Sequence, residues 1–424
     1  MRHLILSIFI LLSLALPAQT VISIKIDGAI SPVVASFIHR SIEKAVEDRA
    51  ECLLIHLNTP GGLLNATRTI VGNMLESKIP IVVYVSPSGA HAGSAGVFIT
   101  LAADIAVMAP GTNIGAAHPV TMGGEMDTTM NRKATNDAAA FIRTIAEYRK
   151  RNLAWAEDAV RESVAITSNE ALQKSIIDLI ASNDKDLLEK MDGRDIARDS
   201  SKITLHTRNA TIRDLEMSFT EKVLDLVSNP DIAYILLLLG FFGLAIELFN
   251  PGAILPGVVG FVSLILAFYS LNTLPVNWAG LVLIVFGLVL FFLEIKTGGH
   301  GLLALAGAAT LIFGSLMLIQ PGSTLEFARI SRTVIISSVA ITTAFMLFIV
   351  AMGLKAQSQK PVTGIEGMLG DQGEALDDLN PSGRVKVRGE IWKAVSITGS
   401  IAKDSRIRVT EIRDLTLYVE KLNA

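Results

Sequence analysis

A serine followed by an alanine, a pair of glycines and a lysine stand in an order that could support acyl transfer. Ser94 and Ala95 come after the apolar run Ile81–Val85, and an apolar helical pattern begins directly behind them. A serine at a turn from strand to helix projects clear of a sheet, and the N–H of the following residue faces the same point. Ser94 is therefore the candidate nucleophile, and the N–H of Ala95 is a candidate donor to an oxyanion.

Gly61 and Gly62 follow an earlier apolar run, Cys52–Leu57. Two glycines let the backbone bring its N–H groups close to a ligand, as an oxyanion hole requires. Lys133, in a later polar segment, is a candidate base because a neutral lysine can accept the serine proton. Each signal is weak alone, since glycine pairs usually form turns and most lysines are solvated. Their order on successive elements gives them weight.

The chain around these residues alternates short apolar runs with helical patterns. This alternation predicts crossover units and a buried, largely parallel sheet, and so an α/β domain over residues 19–183. The predicted strands are Val21–Ile26, Cys52–Leu57, Ile81–Val85 and Ile105–Met108, and the predicted helices are Ser36–Asp48, Asn65–Ser77 and Ser94–Ala103.

Residues 1–18 have the features of a signal peptide. A short positive region precedes an apolar run over 4–16, and Ala18 suits cleavage. An uncleaved anchor is the alternative, because Leu16 is larger than the residue usually found three positions before a cut. In both cases the α/β domain is expected to be exported.

A polar linker is predicted over residues 184–230. The neighbours of Ile203–Thr207 predict a small hairpin, and Met217–Val227 has an apolar face at helical spacing. That helix either lies along the membrane surface or simply connects two domains.

Five apolar stretches within residues 231–355 approach or meet the ~20 residues that a helix needs to cross the hydrocarbon core. They are Ile232–Phe249, Ile254–Leu271, Trp278–Ile295, Leu302–Ile319 and Val334–Leu354. An odd number of spans predicts a multi-pass protein whose C-terminal tail is cytoplasmic when the α/β domain is outside.

The tail, residues 361–424, shows short alternating runs that predict a small closed β barrel. These runs are Arg384–Arg388, Ala394–Ile397, Arg406–Thr410 and Thr416–Glu420.

Composition excludes several classes of protein. A net charge of −3 argues against a nucleic-acid partner, which would need a basic face. Cys52 is the single cysteine, which excludes an internal disulfide and a multi-cysteine metal site. Charged residues make up 18% of the chain, against about 25% in soluble domains. The lipid bilayer is therefore an expected partner, and neither a metal nor a cofactor is expected.

Through these motifs, the sequence resembles the long form of the NfeD, or stomatin operon partner, family. The first domain of that family is related to ClpP and to signal peptide peptidase A. The resemblance covers nearly the whole chain and rests on Pro60-Gly61-Gly62, Ser94-Ala95-Gly96 and Lys133. It implies a ClpP/crotonase-like protease domain, an α-helical transmembrane bundle and a C-terminal OB-fold. It also implies a Ser94–Lys133 dyad that cleaves apolar peptide segments, with a stomatin-like membrane protein as the suspected substrate or partner.

The relation to ClpP leaves a second base open. His118, followed by Pro119, stands at a place similar to that of the ClpP catalytic histidine. The position of the ClpP acid falls on Ser163, which cannot orient and stabilise an imidazolium as an aspartate does. The lysine is therefore the favoured base and His118 the alternative.

Two other functions compete with proteolysis. One is a catalytically silent membrane scaffold that partners stomatin-like proteins through the tail and the bundle. The other is a crotonase-type acyl-CoA enzyme, which export disfavours because CoA thioesters are cytoplasmic metabolites. A homo-oligomer is expected.

Overall fold

The structure is a computed structural model that describes residues 19–119, 128–198, 201–249, 252, 254–271, 276–297, 301–319, 330–357 and 365–422. The predicted signal peptide, residues 1–18, lies outside the described residues. The chain forms an α/β domain, a set of apolar helices and a small β barrel, as the sequence predicts.

The α/β domain is built on a six-stranded parallel sheet. Its region of the chain contains β1 (Thr20–Asp27), β2 (Cys52–Asn58), β3 (Ile81–Val85), β4 (His91–Gly93), β5 (Ile105–Met108), β6 (Asn113–Gly115), β7 (Ala165–Thr167), β8 (Leu179–Ile180), β9 (Asp195–Arg198), β10 (Ser201–Thr204) and β11 (Thr211–Asp214). The main sheet has the order β11-β1-β2-β3-β5-β8, and every pairing in it is parallel. All five residues of β3 are buried, as expected for a central strand covered on both faces.

Helices cover both faces of this sheet. They are α1 (Pro32–Glu47), α2 (Leu64–Glu76), α3 (Ala95–Ala102), α4 (Thr128–Tyr148), α5 (Leu153–Arg161), α6 (Ser168–Gln173) and α7 (Asp184–Met191). Helices α1 to α5 pack on one face, and α7 packs on the other. Helix α1 begins before the predicted Ser36 because Ser31 caps it, accepting from the Val34 N–H at 3.2 Å, and Pro32 suits the first turn.

A second, three-stranded sheet was not predicted. Strand β4 pairs in parallel with β6, and β6 pairs antiparallel with β7. Each strand has three residues, which is too short to show a hydrophobic period in sequence. Strand β4 of this small sheet leads directly into Ser94, so the sheet helps to fix the position of the candidate nucleophile.

The region predicted as a linker contributes to the α/β domain. Helix α7 buries Leu187, Leu188 and Met191 against the sheet, and β11 extends the sheet beyond β1. The predicted small hairpin is confirmed in β9 and β10, which pair antiparallel. A short helix, α8 (Phe219–Val227), then leads to the first apolar helix.

Five apolar helices occupy the described residues between 230 and 357. They are α9 (Pro230–Phe249), α10 (Ile254–Leu271), α11 (Trp278–Thr297), α12 (Leu302–Leu318) and α13 (Arg332–Gln357). Four of them are long and apolar enough to cross a membrane, and α12 has 17 residues. At 1.5 Å per residue, α12 is roughly 26 Å long, a little short of the ~30 Å hydrocarbon core.

Glycines allow these helices to pack closely in pairs. A Cβ at Gly243 would lie 2.7 Å from Gly260 Cα, and a Cβ at Gly287 would lie 2.9 Å from Gly307 O. These contacts join α9 to α10 and α11 to α12, as small residues do in membrane bundles. Asp231 at the start of α9 accepts a hydrogen bond from the Ser331 N–H at 2.7 Å, which holds the beginnings of α9 and α13 together.

The C-terminal region is a closed five-stranded barrel, which confirms the OB-fold prediction. Its strands are β12 (Gln372–Ala375), β13 (Ser382–Val387), β14 (Glu390–Ser396), β15 (Arg406–Arg413) and β16 (Thr416–Lys421). They close in the order β12-β13-β14-β16-β15. Every predicted run overlaps a strand, and β12 alone was missed because its sequence, QGEA, carries no apolar alternation.

Candidate active site

Ser94 sits at the sharp turn between β4 and α3. Its backbone has φ 47° and ψ −105°, a conformation that non-glycine residues rarely adopt. Such a conformation costs on the order of 1–3 kcal/mol and persists only where the surroundings impose it. Here the Ser94 N–H donates to Gly115 O at 3.1 Å, and β4 is held by β6. The Ser94 side chain makes no capping hydrogen bond, so its Oγ is not committed to the helix.

The loop after β2 comes directly against the serine. A Cβ placed on Gly61 would lie 2.7 Å from Ser94 Cβ and 3.2 Å from Ser94 Oγ. Gly61 also has φ +127°, which a residue with a side chain would find strained. A Cβ on Gly62 would lie 2.2 Å from Ile30 O. Both positions therefore require glycine, one for its approach to the nucleophile and one for its packing.

The three predicted oxyanion donors differ in their present hydrogen bonding. The Gly61 N–H donates to Thr59 Oγ1 at 3.1 Å. Throughout the described ranges, the N–H groups of Gly62 and Ala95 have no acceptor. Ala95 directly follows Ser94, and its N lies 3.7 Å from the position that a Gly61 Cβ would take. The N–H groups of Gly62 and Ala95 are thus available as donors, whereas the Gly61 N–H is engaged by Thr59.

Lys133 lies near the start of α4 with an exposed side chain. The stacked rings of Phe98 and Phe141 are 5.5 Å apart, and Arg149 Nε donates to Ala102 O at 2.8 Å. Phe98 precedes Ala102 in α3, and their partners Phe141 and Arg149 occur in the same order in α4 and directly after it. The two helices therefore run in the same direction, and α4 begins toward the Ser94 end of α3. Among the described residues, no hydrogen bond joins Lys133 to Ser94. Residues 120–127, which precede α4, lie outside the described part.

The beginning of α4 is held by side-chain contacts on two sides. Asp137 accepts from Arg68 of α2 at 2.6 Å, and the Arg68 guanidinium lies 4.4 Å from the centre of the Phe141 ring. Asn136 accepts from Arg161 of α5 at 2.8 Å. The base candidate is therefore carried by a helix that is fixed to its neighbours, although its own side chain is not.

His118, the alternative base, is half-buried and bonded to the main chain. Its Nδ1 lies 2.9 Å from Val160 O, and because a carbonyl only accepts, Nδ1 must carry the proton. This bond leaves Nε2 as the acceptor nitrogen of a neutral ring. Ser163 is exposed and has φ 55°. A carbonyl can orient the ring, but it does not balance the charge of an imidazolium as a carboxylate does.

Asn58 is a site residue that the sequence analysis missed. Its Oδ1 accepts from the His91 N–H at 3.1 Å, and its Nδ2 donates to Asp27 Oδ1 at 2.9 Å. It thus ties β4, which leads to Ser94, to the end of β1. The Thr59 N–H also donates to His91 O at 2.9 Å. A polar residue at the end of a predicted buried strand was the available signal, but it does not reveal a partner on another strand.

Family models match all three regions of the chain. The chain matches the models of the NfeD1b N-terminal domain over residues 20–198, the NfeD integral membrane domain over 231–352 and the NfeD-like C-terminal, partner-binding domain over 365–421. It is 36% identical to a membrane-bound protease of Pyrococcus horikoshii over 99% of this chain and 98% of that protein. It is 29% identical to membrane protein NfeD1b of Bacillus subtilis over 95% of this chain and 93% of that protein.

One solved structure in the same group is a membrane-bound stomatin-specific protease, studied as a lysine-to-alanine mutant in complex with a substrate peptide. It is 34% identical, covers 49% of this chain and 97% of its own, and superposes with a TM-score of 0.46. The identity to the Pyrococcus protease extends over essentially both full lengths. The chain therefore belongs to the NfeD family, as an integral membrane protein with a ClpP-like serine protease domain.

Proposed function

We propose that this protease is a serine endopeptidase with a Ser94–Lys133 dyad that cleaves apolar peptide segments at the membrane. The observation that carries the proposal is the strained turn at Ser94, which lies against Gly61 and is followed by Ala95, whose N–H has no acceptor among the described residues. Strain of this kind is found where a fold presents a nucleophile.

The proposed reaction is acyl transfer through a covalent intermediate. Neutral Lys133 accepts the Ser94 proton as Oγ attacks the peptide carbonyl, and the N–H groups of Gly62 and Ala95 stabilise the oxyanion. Lys133 then gives its proton to the leaving amine. A water molecule, deprotonated by the same lysine, releases the acyl group and restores Ser94.

The lysine must move to take this role. Its side chain is exposed and has no hydrogen bond to Ser94 in the described residues. The parallel course of α3 and α4 supports the proposal, because it brings the start of α4 to the same end as the nucleophile. A lysine has a long, rotatable stem, so rotation of this side chain is the smallest change that would assemble the pair.

Its substrate or partner is proposed to be a stomatin-like membrane protein. The solved relative is named a stomatin-specific protease, and the tail of this chain matches a partner-binding domain. The barrel over residues 361–424 is the proposed contact for that partner. An apolar segment is the proposed cleavage target.

For sidedness, we propose that the α/β domain is extracytoplasmic and that the barrel is cytoplasmic. The hydrogen bond between Asp231 and Ser331 supports an even number of crossings between the starts of α9 and α13, because it keeps both starts on one side. A protease added outside intact cells is expected to cleave within 19–230 and to spare 361–424. Cleavage of both regions, or of neither, would contradict this topology.

Helix α8 is proposed to lie at the membrane surface just before α9. Phe219 and Leu226 are 83% and 58% exposed and stand on one face of the helix. On another face, Glu221 accepts from Arg40 of α1 at 2.6 Å, which fastens α8 to the α/β domain. The apolar face would enter the interfacial layer, as in surface-lying amphipathic helices.

Single-cysteine spin labelling tests this placement of α8. Cys52 is fully buried, which raises the pKa of its thiol to about 12, so it will not compete for the label. In bilayers, labels at Phe219→Cys and Leu226→Cys should collide with oxygen more than with a nickel chelate. A label at the exposed Thr220→Cys should favour the chelate. Equal water access at all three positions would refute a membrane-bound α8.

Fluorophosphonate labelling tests the nucleophile. The full chain in detergent should be labelled at Ser94, and Ser94→Ala should abolish the label. Ser163→Ala is the matched control, since Ser163 is also exposed to reagent and also has a positive φ of 55°. Labelling that survives Ser94→Ala would overturn the proposal.

A further inference from the structure

A cavity of about 560 Å³ lies beside the candidate active site. Its walls come from the turn between β1 and α1, from the loop after β2 and from the junction of α8 with α9. This volume falls within the range of about 300–1,000 Å³ that is usual for ligand pockets. No step of the reaction described above uses this cavity.

The cavity is joined to the catalytic loop through its wall. Pro60, which lines it, immediately precedes Gly61, and Gly61 touches Ser94. Ile30, another lining residue, donates its N–H to Gly61 O at 2.8 Å and accepts from the Leu63 N–H at 2.9 Å. Because an extended peptide advances ~3.3 Å per residue, a substrate bound at Ser94 would reach the cavity within about three residues of the cleaved bond.

The cavity also touches the membrane boundary. Asn229 and Pro230 line it, and Pro230 is the first residue of α9. A peptide that fills the cavity must therefore pass close to the lipid surface.

The charges in the wall favour a cation. Asp27 of β1 and Asp225 of α8 both line the cavity, and Lys25 is the one basic residue among its lining residues. Asp27 already accepts from Asn58, whereas the Asp225 carboxylate has no partner among the described residues. Partial desolvation raises the pKa of the Asp225 carboxyl, but the residue as a whole remains exposed, so a bound cation can reach it. The apolar lining residues Ile30, Leu63 and Met217 suit a methylene stem.

We propose that this cavity is a substrate subsite for one basic side chain near the cleaved bond, with Asp225 as its ionic partner. The inference rests on the proposed function and adds a specificity to it: the apolar segment carries a lysine or arginine close to the scissile bond. Asp225 is then a specificity-determining residue on α8, at a distance in sequence from the nucleophile.

Binding to the full chain carrying Ser94→Ala tests the subsite without turnover. Fluorescent apolar peptides would carry lysine or its neutral analogue norleucine at each of the positions within three residues of the centre. At one position, lysine should tighten binding by about threefold to tenfold, the size of one partly shielded ion pair. Asp225→Asn should reduce that preference to less than twofold. Glu189→Gln, which removes an exposed acid of α7 far from the lining, should leave it unchanged.

Two results would overturn the subsite. One is equal binding of lysine and norleucine peptides at every position, and the other is a lysine preference that survives Asp225→Asn. Cleavage by the chain with native Ser94 separates this failure from that of the proposed function. If the norleucine peptide is cut in a Ser94-dependent way without any lysine preference, the protease stands and the subsite is wrong. If no peptide is cut in a Ser94-dependent way, the proposed function itself is wrong.

Discussion

The nucleophile and the base of the candidate dyad stand in very different surroundings. Ser94 is held by the backbone of β6, is touched by Gly61 and sits in a conformation that its neighbours impose. Lys133 is exposed near the start of α4, and only its helix is fastened, through Asp137 and Asn136. The nucleophile is therefore preorganised by main-chain contacts, while the base depends on how one side chain rotates. Substitutions near Ser94 should therefore lower activity more than substitutions that loosen α4.

The largest effect is expected at Gly61. Gly61→Ala would place a Cβ 2.7 Å from Ser94 Cβ at a φ of +127°. Displacing the nucleophile and the oxyanion loop should lower kcat/KM by about 10²–10³-fold. Gly89→Ala is the matched control, because Gly89 also has a positive φ, +89°, but no atom within 4 Å of its Cβ position. If Gly61→Ala keeps more than a tenth of the activity, the main-chain contact does not position Ser94.

A smaller loss is expected at Asn58, which positions the serine through β4. Asn58→Ala leaves the His91 N–H without its acceptor and frees Asp27. We expect about a tenfold fall in kcat with little change in KM, since the substrate does not touch Asn58 in this account. Steady-state kinetics of peptide cleavage measure both constants. A rise in KM at constant kcat would instead assign Asn58 to substrate binding.

Loosening the start of α4, which carries the candidate base Lys133, should lower activity less again. Arg68→Ala removes the hydrogen bond to Asp137 and the contact with Phe141, and these are worth about 0.5–2 kcal/mol together at such an exposed position. We expect about a threefold loss of kcat, with fluorophosphonate labelling of Ser94 preserved. Arg143→Ala, which breaks a 3.6 Å surface pair between the later part of α4 and Glu157 of α5, is the control and should be silent. Equal losses in both variants would show that α4 does not position the base.

These contrasts also explain how far the sequence could predict the site. The turn at Ser94 and the glycines at 61 and 62 could be predicted because strand, turn and helix are neighbours in the sequence there. The strands β4, β6 and β7 were not, because three residues carry no period and their pairing is a tertiary contact. The bond from the Gly61 N–H to Thr59 and the bridge through Asn58 depend in the same way on distant backbone.

The base was harder to assign for a further reason. Spacing could propose Lys133 or His118, but it could not show that His118 Nδ1 bonds Val160 O or that the lysine side chain is exposed. Likewise, residues 184–214 have the composition of a polar linker, because helix α7 buries few residues and β11 is a mostly exposed edge strand. Their place in the α/β domain was therefore not predicted. The apolar helices and the barrel were predicted well, since length and alternation decide both.

The smallest effect is expected in the pH dependence of stability. Burial lowers the pKa of His56, whose Nδ1 lies 2.9 Å from Ser86 Oγ, so the folded domain holds this ring neutral. The unfolded chain binds a proton near pH 6.5, so stability should fall as the pH drops below about 6.5. His56→Gln should flatten this fall, measured by chemical denaturation of the full chain at pH 7.5 and 5. If the free energy of unfolding falls equally with pH in His56→Gln and in the native chain, His56 is not the cause.

The central claim is that Lys133, and not His118, is the base for Ser94. The direct test is peptide cleavage by the full chain in detergent with native sequence, Ser94→Ala, Lys133→Ala and His118→Ala, each measured from pH 6 to 10. We predict that Lys133→Ala is as inactive as Ser94→Ala and that His118→Ala stays within about tenfold of native throughout this pH range. An inactive His118→Ala beside a Lys133→Ala that keeps most of its rate would contradict the dyad and make His118 the base.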